Sequence, residues 1–298
     1  MLAARPKTLS GAAVPVMIGV ALALKISGWY GFRVLPAVLC FLFAFIMQID
    51  SNLINDYFDY RHGNDSPDTR LGPKRACSEG WITPKAMSLG IALISIVACA
   101  VGLPLIWFSG WQMVIVGVAC VLFAFLYTTF FSYHGLGDLL VLIFFGVVPV
   151  CFTCYVILPA PLRIIPWQVV AISMGCGLVI DTLLCINNFR DRDNDRRDGK
   201  KTIIVRLGEK WGARLYYAVG AVGAAATMVV IMTWTHDPRL SAVCMLPFLV
   251  YAYKHSQSYS SLRDIWQGRE LNKVLGTTAR DMLIYGIMTV LAIFISSL

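Results

Sequence analysis

Asn52, Asn55, Asp56 and Asp59 fall in the stretch NLINDYFDYRHGND, directly after the apolar run LCFLFAFIMQID. On a continuing α-helix their spacing is i, i+3, i+4 and i+7, which puts all four on one face. Further along, in NNFRDRDNDRRDGKK, Asn188, Asp191 and Asp195 stand at i, i+3 and i+7, and Asn187 lies one turn before Asp191. Two helices would then each present an amide and two carboxylates at one depth. Oxygen-only donors of this kind suit Mg2+, which keeps some of its waters and is usually held together with substrate phosphates. Neither cluster contains enough Cys or His for zinc. Basic residues border both clusters: Arg61, Lys74 and Arg75 near the first, and Arg190, Arg192, Arg196, Arg197, Lys200 and Lys201 near the second. Carboxylates holding a divalent cation beside Lys and Arg make a complementary cage for a diphosphate and neutralise it as it leaves. Solvated loop charge accounts for many of the Lys and Arg residues, but not for two matching acidic faces.

The elements that carry these clusters are membrane-like. Of 298 residues, 14% are charged and 58% hydrophobic, with a mean hydropathy of +0.69; a soluble chain has about 25% charged residues. Nine apolar spans are legible, at 9–24, 34–54, 84–108, 111–131, 137–159, 167–189, 211–233, 239–255 and 278–297, most near the roughly 20 residues a membrane helix needs. With the N-terminus in the cytoplasm, only Lys25, Arg33, Arg163 and Arg239 of the 25 Lys and Arg residues fall outside, leaving 21 inside. Cytoplasmic loops carry such an excess. The expectation is an all-α membrane protein of nine transmembrane helices, N-terminus inside and C-terminus outside, forming one domain over 1–298 in the cell (inner) membrane.

Two long polar loops, at 55–83 and 188–210, both fall on the cytoplasmic side, which places function on that face. They lie four spans apart with similar chemistry, suggesting an internal repeat of four-helix units. The opening RPK and the small residues Ala21–Ala23 could be read as a secretory signal, but that would invert every later span against the charge count. Asp50 and Asp181 lie inside spans two and six, where an ionisable side chain is functional by default or is paired with an in-membrane Arg or a hydroxyl. Of nine cysteines, eight lie in apolar spans, and the CxxC of Cys151 and Cys154 has no second ligand pair, so packing is expected. Cys77, in the first loop, is expected to be reachable from the cytoplasm.

NDYFDYRHGND and NNFRDRDNDRRDGKKT resemble the two Asp-rich motifs of the UbiA superfamily of intramembrane prenyltransferases. With ARPKTL, GPKRACSEGWITPKAM and YHGLGD they resemble most the 1,4-dihydroxy-2-naphthoate polyprenyltransferase branch of menaquinone biosynthesis. The motifs run from Arg5 to Gly208; the last third is similar only in hydropathy. The resemblance implies a bundle around a membrane-embedded cavity, Mg2+ as cofactor, and a polyprenyl diphosphate and an aromatic acceptor as substrates, with no nucleic acid and no obligate protein partner. It maps metal-holding carboxylates onto Asp56, Asp59 and Asp65 and onto Asp191 and Asp195, with Asp198 a further candidate. Asp56, Asp59, Asp191 and Asp195 are the expected catalytic residues. Diphosphate contacts are expected from Lys200 or Lys201 and Arg5, with Asn52, Asn55 and Asn188.

His134 could touch the acceptor or be an exposed loop histidine. Tyr57, Tyr127 and Tyr133 could shield a carbocation or be interface tyrosines. The implied reaction prenylates the naphthoate with loss of CO2 and diphosphate, giving demethylmenaquinone. Other acceptors in the superfamily are 4-hydroxybenzoate, homogentisate, haem and lipid. A CDP-alcohol phosphotransferase would need a D-G-x-x-A-R run, which the chain lacks. A cation transporter with midplane carboxylates fits less well than clusters at helix ends beside long basic loops.

Overall fold

In a bilayer every backbone N–H and C=O has to be satisfied within its own segment, so a chain this apolar goes helical. The computed structural model describes residue 5 and residues 8–63 and 70–298, and every element among them is a helix. Nine are long: α1 (Leu9–Gly31), α2 (Val34–Arg61), α3 (Pro84–Ser109), α4 (Gln112–His134), α5 (Gly137–Ile157), α6 (Trp167–Arg197), α7 (Glu209–Thr233), α8 (Leu246–Ile265) and α9 (Leu271–Ile295). Two short α-helices, Ile203–Leu207 and Pro238–Val243, and a 3-10 turn, Ala160–Leu162, lie between them.

Among the described residues, eight of these helices are long and apolar enough to cross a membrane; α8 is the exception. The expected eighth span, 239–255, is split between Pro238–Val243 and α8. From its middle onward α8 carries Lys254, His255, Ser258, Arg263 and Asp264. His255 and Ser258 are buried against α7 and α9, whereas Arg263 and Asp264 are exposed. The His255 ring, 2% exposed, stacks between Tyr217 and Tyr251 at 5.5 and 5.4 Å. Ser258 donates to Asp281 Oδ2 at 2.5 Å. Gly220 makes room for this, since a Cβ there would sit 2.4 Å from His255 Nε2.

Helix α6 is buried along much of its length and packs against α1, α5, α7 and α9. Small residues let its backbone come close, as is common between membrane helices. A Cβ on Gly177 would lie 2.8 Å from the Leu142 carbonyl oxygen and 3.0 Å from its Cα. Helices α4 and α5 are not regular throughout: Tyr127–Phe131 and Leu142–Val147 are π-helical turns.

Two features position the site. Helices α2 and α6 run past their apolar parts to Arg61 and Arg197, so both acidic faces are helical, as the spacing requires. The loop after α2 folds back on it, and Ala76 and Cys77 join Ile54, Met87 and Ile91 in a small apolar cluster. Cys77 is consequently only 4% exposed, so it is not the accessible loop thiol expected from sequence. Burial also pushes its thiol up to about 11. Asp50 is fully buried and accepts a 2.6 Å hydrogen bond from Ser95 of α3, the hydroxyl pairing that was one of its two readings. Cys151 and Cys154 are free and lie in the main core, where packing was expected.

The Gly177 contact gives a direct test. We predict that Gly177→Leu costs at least about 1–3 kcal/mol of stability by overpacking the α5–α6 contact. Gly90→Ala, where nothing lies within 4 Å of the new Cβ, should leave the melting temperature in detergent unchanged or slightly raised.

Candidate functional site

A cavity of about 630 Å³ opens at the end of the bundle where α2 and α6 carry their acidic faces. Its long apolar wall includes Val16, Phe43, Met47, Phe144 and Phe152. Leu103, Val114 and Val118 also line it and are 57%, 42% and 61% exposed, so the cavity reaches the outer surface between α3 and α4. Its polar end is formed by Arg5, Asn52, Asn55, Arg70, Arg75, Tyr127, Asn187 and Asp191.

Helix α2 turns Asn52 and Asn55 into this end. Asn52 Nδ2 donates to Thr8 Oγ1 at 3.0 Å, and its Oδ1 accepts from Gln48 at 3.4 Å. Asn55 Oδ1 accepts from the Thr128 hydroxyl, which the π-turn of α4 presents. Asp59 Oδ2 pairs with Arg75 at 2.6 Å, and its Oδ1 lies 3.6 Å from Lys200 Nζ. Asp56, expected to hold metal, is 1% exposed, and both its oxygens accept backbone N–H groups, of Ala76 at 2.8 Å and Cys77 at 3.1 Å. Asp65 lies outside the described residues.

Helix α6 supplies the other half. Arg190 grips Asp191 with both arms, Nε to Oδ1 at 2.9 Å and Nη2 to Oδ2 at 2.5 Å. It also donates to Asn187 Oδ1 at 2.8 Å and to Asn272 Oδ1 at 2.9 Å. Gly72 leaves the space for this guanidinium, since a Cβ there would meet Arg190 Nη2 at 2.7 Å. Asn188 is not on the cavity wall; its neighbour Asn187 is the amide that lines it. Asp195 is 8% exposed and faces Lys200. Asp198 is exposed beyond the end of the helix.

Between Lys200 and Lys201 the geometry chooses the first. Lys200 reaches Asp59 and lies 5.4 Å over the Tyr133 ring, whereas Lys201 is exposed. Burial works against the Lys200 charge, but Asp59 and Asp195 outweigh it and hold the ammonium above the ordinary lysine range. Arg5 sits in the opposite balance. Burial, then the like charges of Arg75 and Arg70, lower its guanidinium to about 9, which still leaves it charged at neutral pH. Two hydrogen bonds from Thr8, backbone N–H and hydroxyl, hold the Arg5 carbonyl, each at 2.9 Å. Three arginines converging on one polar rim call for an anion.

Of the aromatic candidates, Tyr127 lines the cavity. Tyr57 accepts from Arg61 at 3.2 Å. His134 is exposed and stacked on Phe130 at 4.2 Å, but it is the last residue of α4 and not part of a loop. Asp181 is brought against Asp138 of YHGLGD and Cys185, with ligand atoms of all three within 4.8 Å of one another. Sequence reasoning missed Arg70 and three residues that act through others. Thr8 and Thr128 orient the amides, and nothing marks them among other hydroxyls. Asn272 belongs to the last third of the chain, which carries no motif; its Nδ2 donates to the Leu71 carbonyl at 2.8 Å, tying α9 to the loop after α2.

The rim thus offers Asp59, Asp191 and Asp195 with the amides of Asn52, Asn55 and Asn187, an all-oxygen donor set surrounded by Arg5, Arg70, Arg75 and Lys200. That chemistry fits a hard divalent cation held together with phosphate oxygens.

Known proteins share this chain's sequence pattern and fold. Residues 12–268 match the model of the UbiA prenyltransferase family. The chain is 33% identical over 308 residues to the 1,4-dihydroxy-2-naphthoate octaprenyltransferase of Escherichia coli (strain K12), covering 98% of this chain and 94% of that one. Its fold resembles the apo structure of a UbiA homolog from Aeropyrum pernix K1, with a TM-score of 0.68 at 17% identity over 95% of this chain and 97% of that one. It also resembles a UbiA homolog from Archaeoglobus fulgidus bound to DMAPP and Mg2+, with a TM-score of 0.58 at 12% identity over 95% and 98% of the two chains. A family model spanning most of the chain and a near-full-length relative together show that this protein belongs to the UbiA prenyltransferase family.

Proposed function

We propose that this prenyltransferase moves a polyprenyl group from polyprenyl diphosphate onto 1,4-dihydroxy-2-naphthoate, releasing diphosphate and CO2 and forming demethylmenaquinol, the hydroquinone that a separate oxidation converts to demethylmenaquinone. The observation that carries the donor half is the rim itself. Carboxylates, arginines and a lysine meet at one end of an apolar cavity that opens sideways between α3 and α4. The acceptor half is supported by the name of the Escherichia coli relative. The active rim would face the cytoplasm, consistent with the distribution of Lys and Arg along the chain.

In this reading Arg5, Arg70, Arg75 and Lys200 bind the diphosphate. Asn52 and Asn55, fixed by Thr8 and Thr128, orient it. Asp59, Asp191 and Asp195, with Asp65 as the sequence motif implies, would hold Mg2+, which supplies charge neutralisation as the allylic C–O bond breaks. The bonding pair leaves with the diphosphate, and an electron-rich ring carbon attacks the allylic cation. The carboxylate on that carbon departs as CO2, returning its bonding pair to the ring. The apolar wall excludes the water that would otherwise capture the cation, and Tyr127 presents a π-face within the cavity. A carboxylate that must leave as neutral CO2 should not be gripped by an arginine pair, and the basic residues concentrate on the diphosphate rim.

A hydroxybenzoate acceptor would use the same donor site. Three measurements test the proposal. EDTA should abolish turnover, and Asp59→Asn and Asp191→Asn should each lower kcat by about 10²-fold or more while the protein remains folded in the membrane. Lys200→Ala should raise KM for the prenyl diphosphate about tenfold, with Lys201→Ala within about twofold of wild type, because only Lys200 reaches the rim. Purified enzyme given 1,4-dihydroxy-2-naphthoate should release CO2 and diphosphate in equal amounts. Prenylated 4-hydroxybenzoate that keeps its carboxylate, with no turnover of the naphthoate, would overturn the acceptor.

A further inference from the structure

Asp56 belongs to the acidic face of α2, yet its environment differs from that of Asp59 one turn on. Its carboxylate is nearly inaccessible, and each oxygen takes one of two consecutive backbone N–H groups, of Ala76 and Cys77. Those two residues open a compact turn. The Ala76 carbonyl accepts from the backbone of Trp81 at 2.9 Å and Ile82 at 3.2 Å, and the Cys77 carbonyl accepts from Gly80 at 3.1 Å. A carboxylate that accepts from consecutive backbone N–H groups is a strong cap. The residue immediately before this cap is Arg75. It is 7% exposed, lines the cavity, and pairs with Asp59 at 2.6 Å. The cap is sealed by apolar packing of Ala76 and Cys77 against Ile54, Met87 and Ile91.

We infer that Asp56 is a positioning residue: it pins the turn at Ala76–Cys77 to α2 and thereby fixes the Arg75 guanidinium at the rim, rather than ligating the metal. This rests on the diphosphate-binding role given to Arg75 above. It separates two carboxylates that the sequence places on one helical face. Asp59 serves the rim directly, and Asp56 serves it through the backbone of a loop twenty residues away.

Cys77 reports on the pin without any turnover. In purified full-length protein in lipid nanodiscs, free of metal and substrate, Asp56→Asn should raise the rate of alkylation at Cys77, followed by peptide mass, at least tenfold. Asp59→Asn should change that rate less than twofold. Kinetically, Asp56→Asn should raise KM for the prenyl diphosphate as Arg75→Ala does. The double variant should be no worse than Arg75→Ala alone, because both remove one contact. The Mg2+ concentration for half-maximal activity should rise in Asp59→Asn but not in Asp56→Asn. An Mg2+ requirement shifted equally in both variants, with Cys77 still protected in Asp56→Asn, would overturn the inference and make Asp56 a ligand.

Should Asp56→Asn fail to fold, the wild-type protein answers the same question. A ligating Asp56 would surrender its backbone partners, so adding Mg2+ and inorganic diphosphate would speed amide hydrogen exchange at Ala76 and Cys77. A pinning Asp56 leaves that exchange unchanged or slower. The thiol and exchange readouts need no prenyl transfer, so they stand or fall separately from the proposed reaction.

Discussion

A carboxylate at the end of a membrane helix has to be neutralised, and the polar end of this protein is organised by how that happens to Asp59. Arg75 reaches it from the loop after α2, and Lys200 reaches it from the segment after α6. One side chain therefore joins the two polar loops. Lys200 faces Asp195 as well, while Asp191, a turn earlier on α6, is held by Arg190, and Arg190 is tied through Asn272 to the loop that carries Arg75. The result is a ring of alternating charge around the mouth of the cavity. Removing one member of such a buried pair strands its partner, at a cost of about 3–5 kcal/mol. The ring constrains α2, α6 and the start of α9 together, although α9 carries no recognisable motif.

The cavity imposes the complementary constraint. Its polar end is crowded with cations, and its walls are lined by aliphatic and aromatic side chains out to the surface between α3 and α4. A ligand with an anionic head and a long hydrocarbon tail satisfies both ends at once. A hydrated cation on its own leaves the long apolar wall and the arginines of the rim without a partner; it fits there only together with an anionic head. This is the structural reason to prefer an enzyme for a lipid-like diphosphate over an ion pathway.

Much of this was legible before any coordinates. Helical spacing put Asn52, Asn55 and Asp59 together, and composition and length identified most of the spans. Three parts were not legible, each for a physical reason. Asp56 shares a face with Asp59, but the sequence cannot show a loop folding back to occupy its oxygens. Asn188 was preferred to Asn187, yet Asn187 is the amide that lines the cavity, and the packing of α6 against its neighbours decides which of the two faces it. Helix α8 was read as a span from its apolar first half, whereas His255 and Ser258 are buried by partners on α7 and α9 that no local pattern announces. Tertiary contacts made these choices, and a one-dimensional pattern does not contain them.

The π-turn at Tyr127–Phe131 has a genetic corollary. A π-turn is an α-helix with one residue too many, so the halves of α4 on either side of it are out of phase by one position. Deleting a single codon there would restore regular winding, and because the wide turn already absorbs the extra residue, the helix beyond it would keep its face while the residues inside the turn would shift. Thr128 would leave Asn55, and Tyr127 would leave the cavity, without any substitution at either position. In this stretch the reading frame of the helix is itself part of the site, and α4 should tolerate exchanges of residue type far better than changes of length.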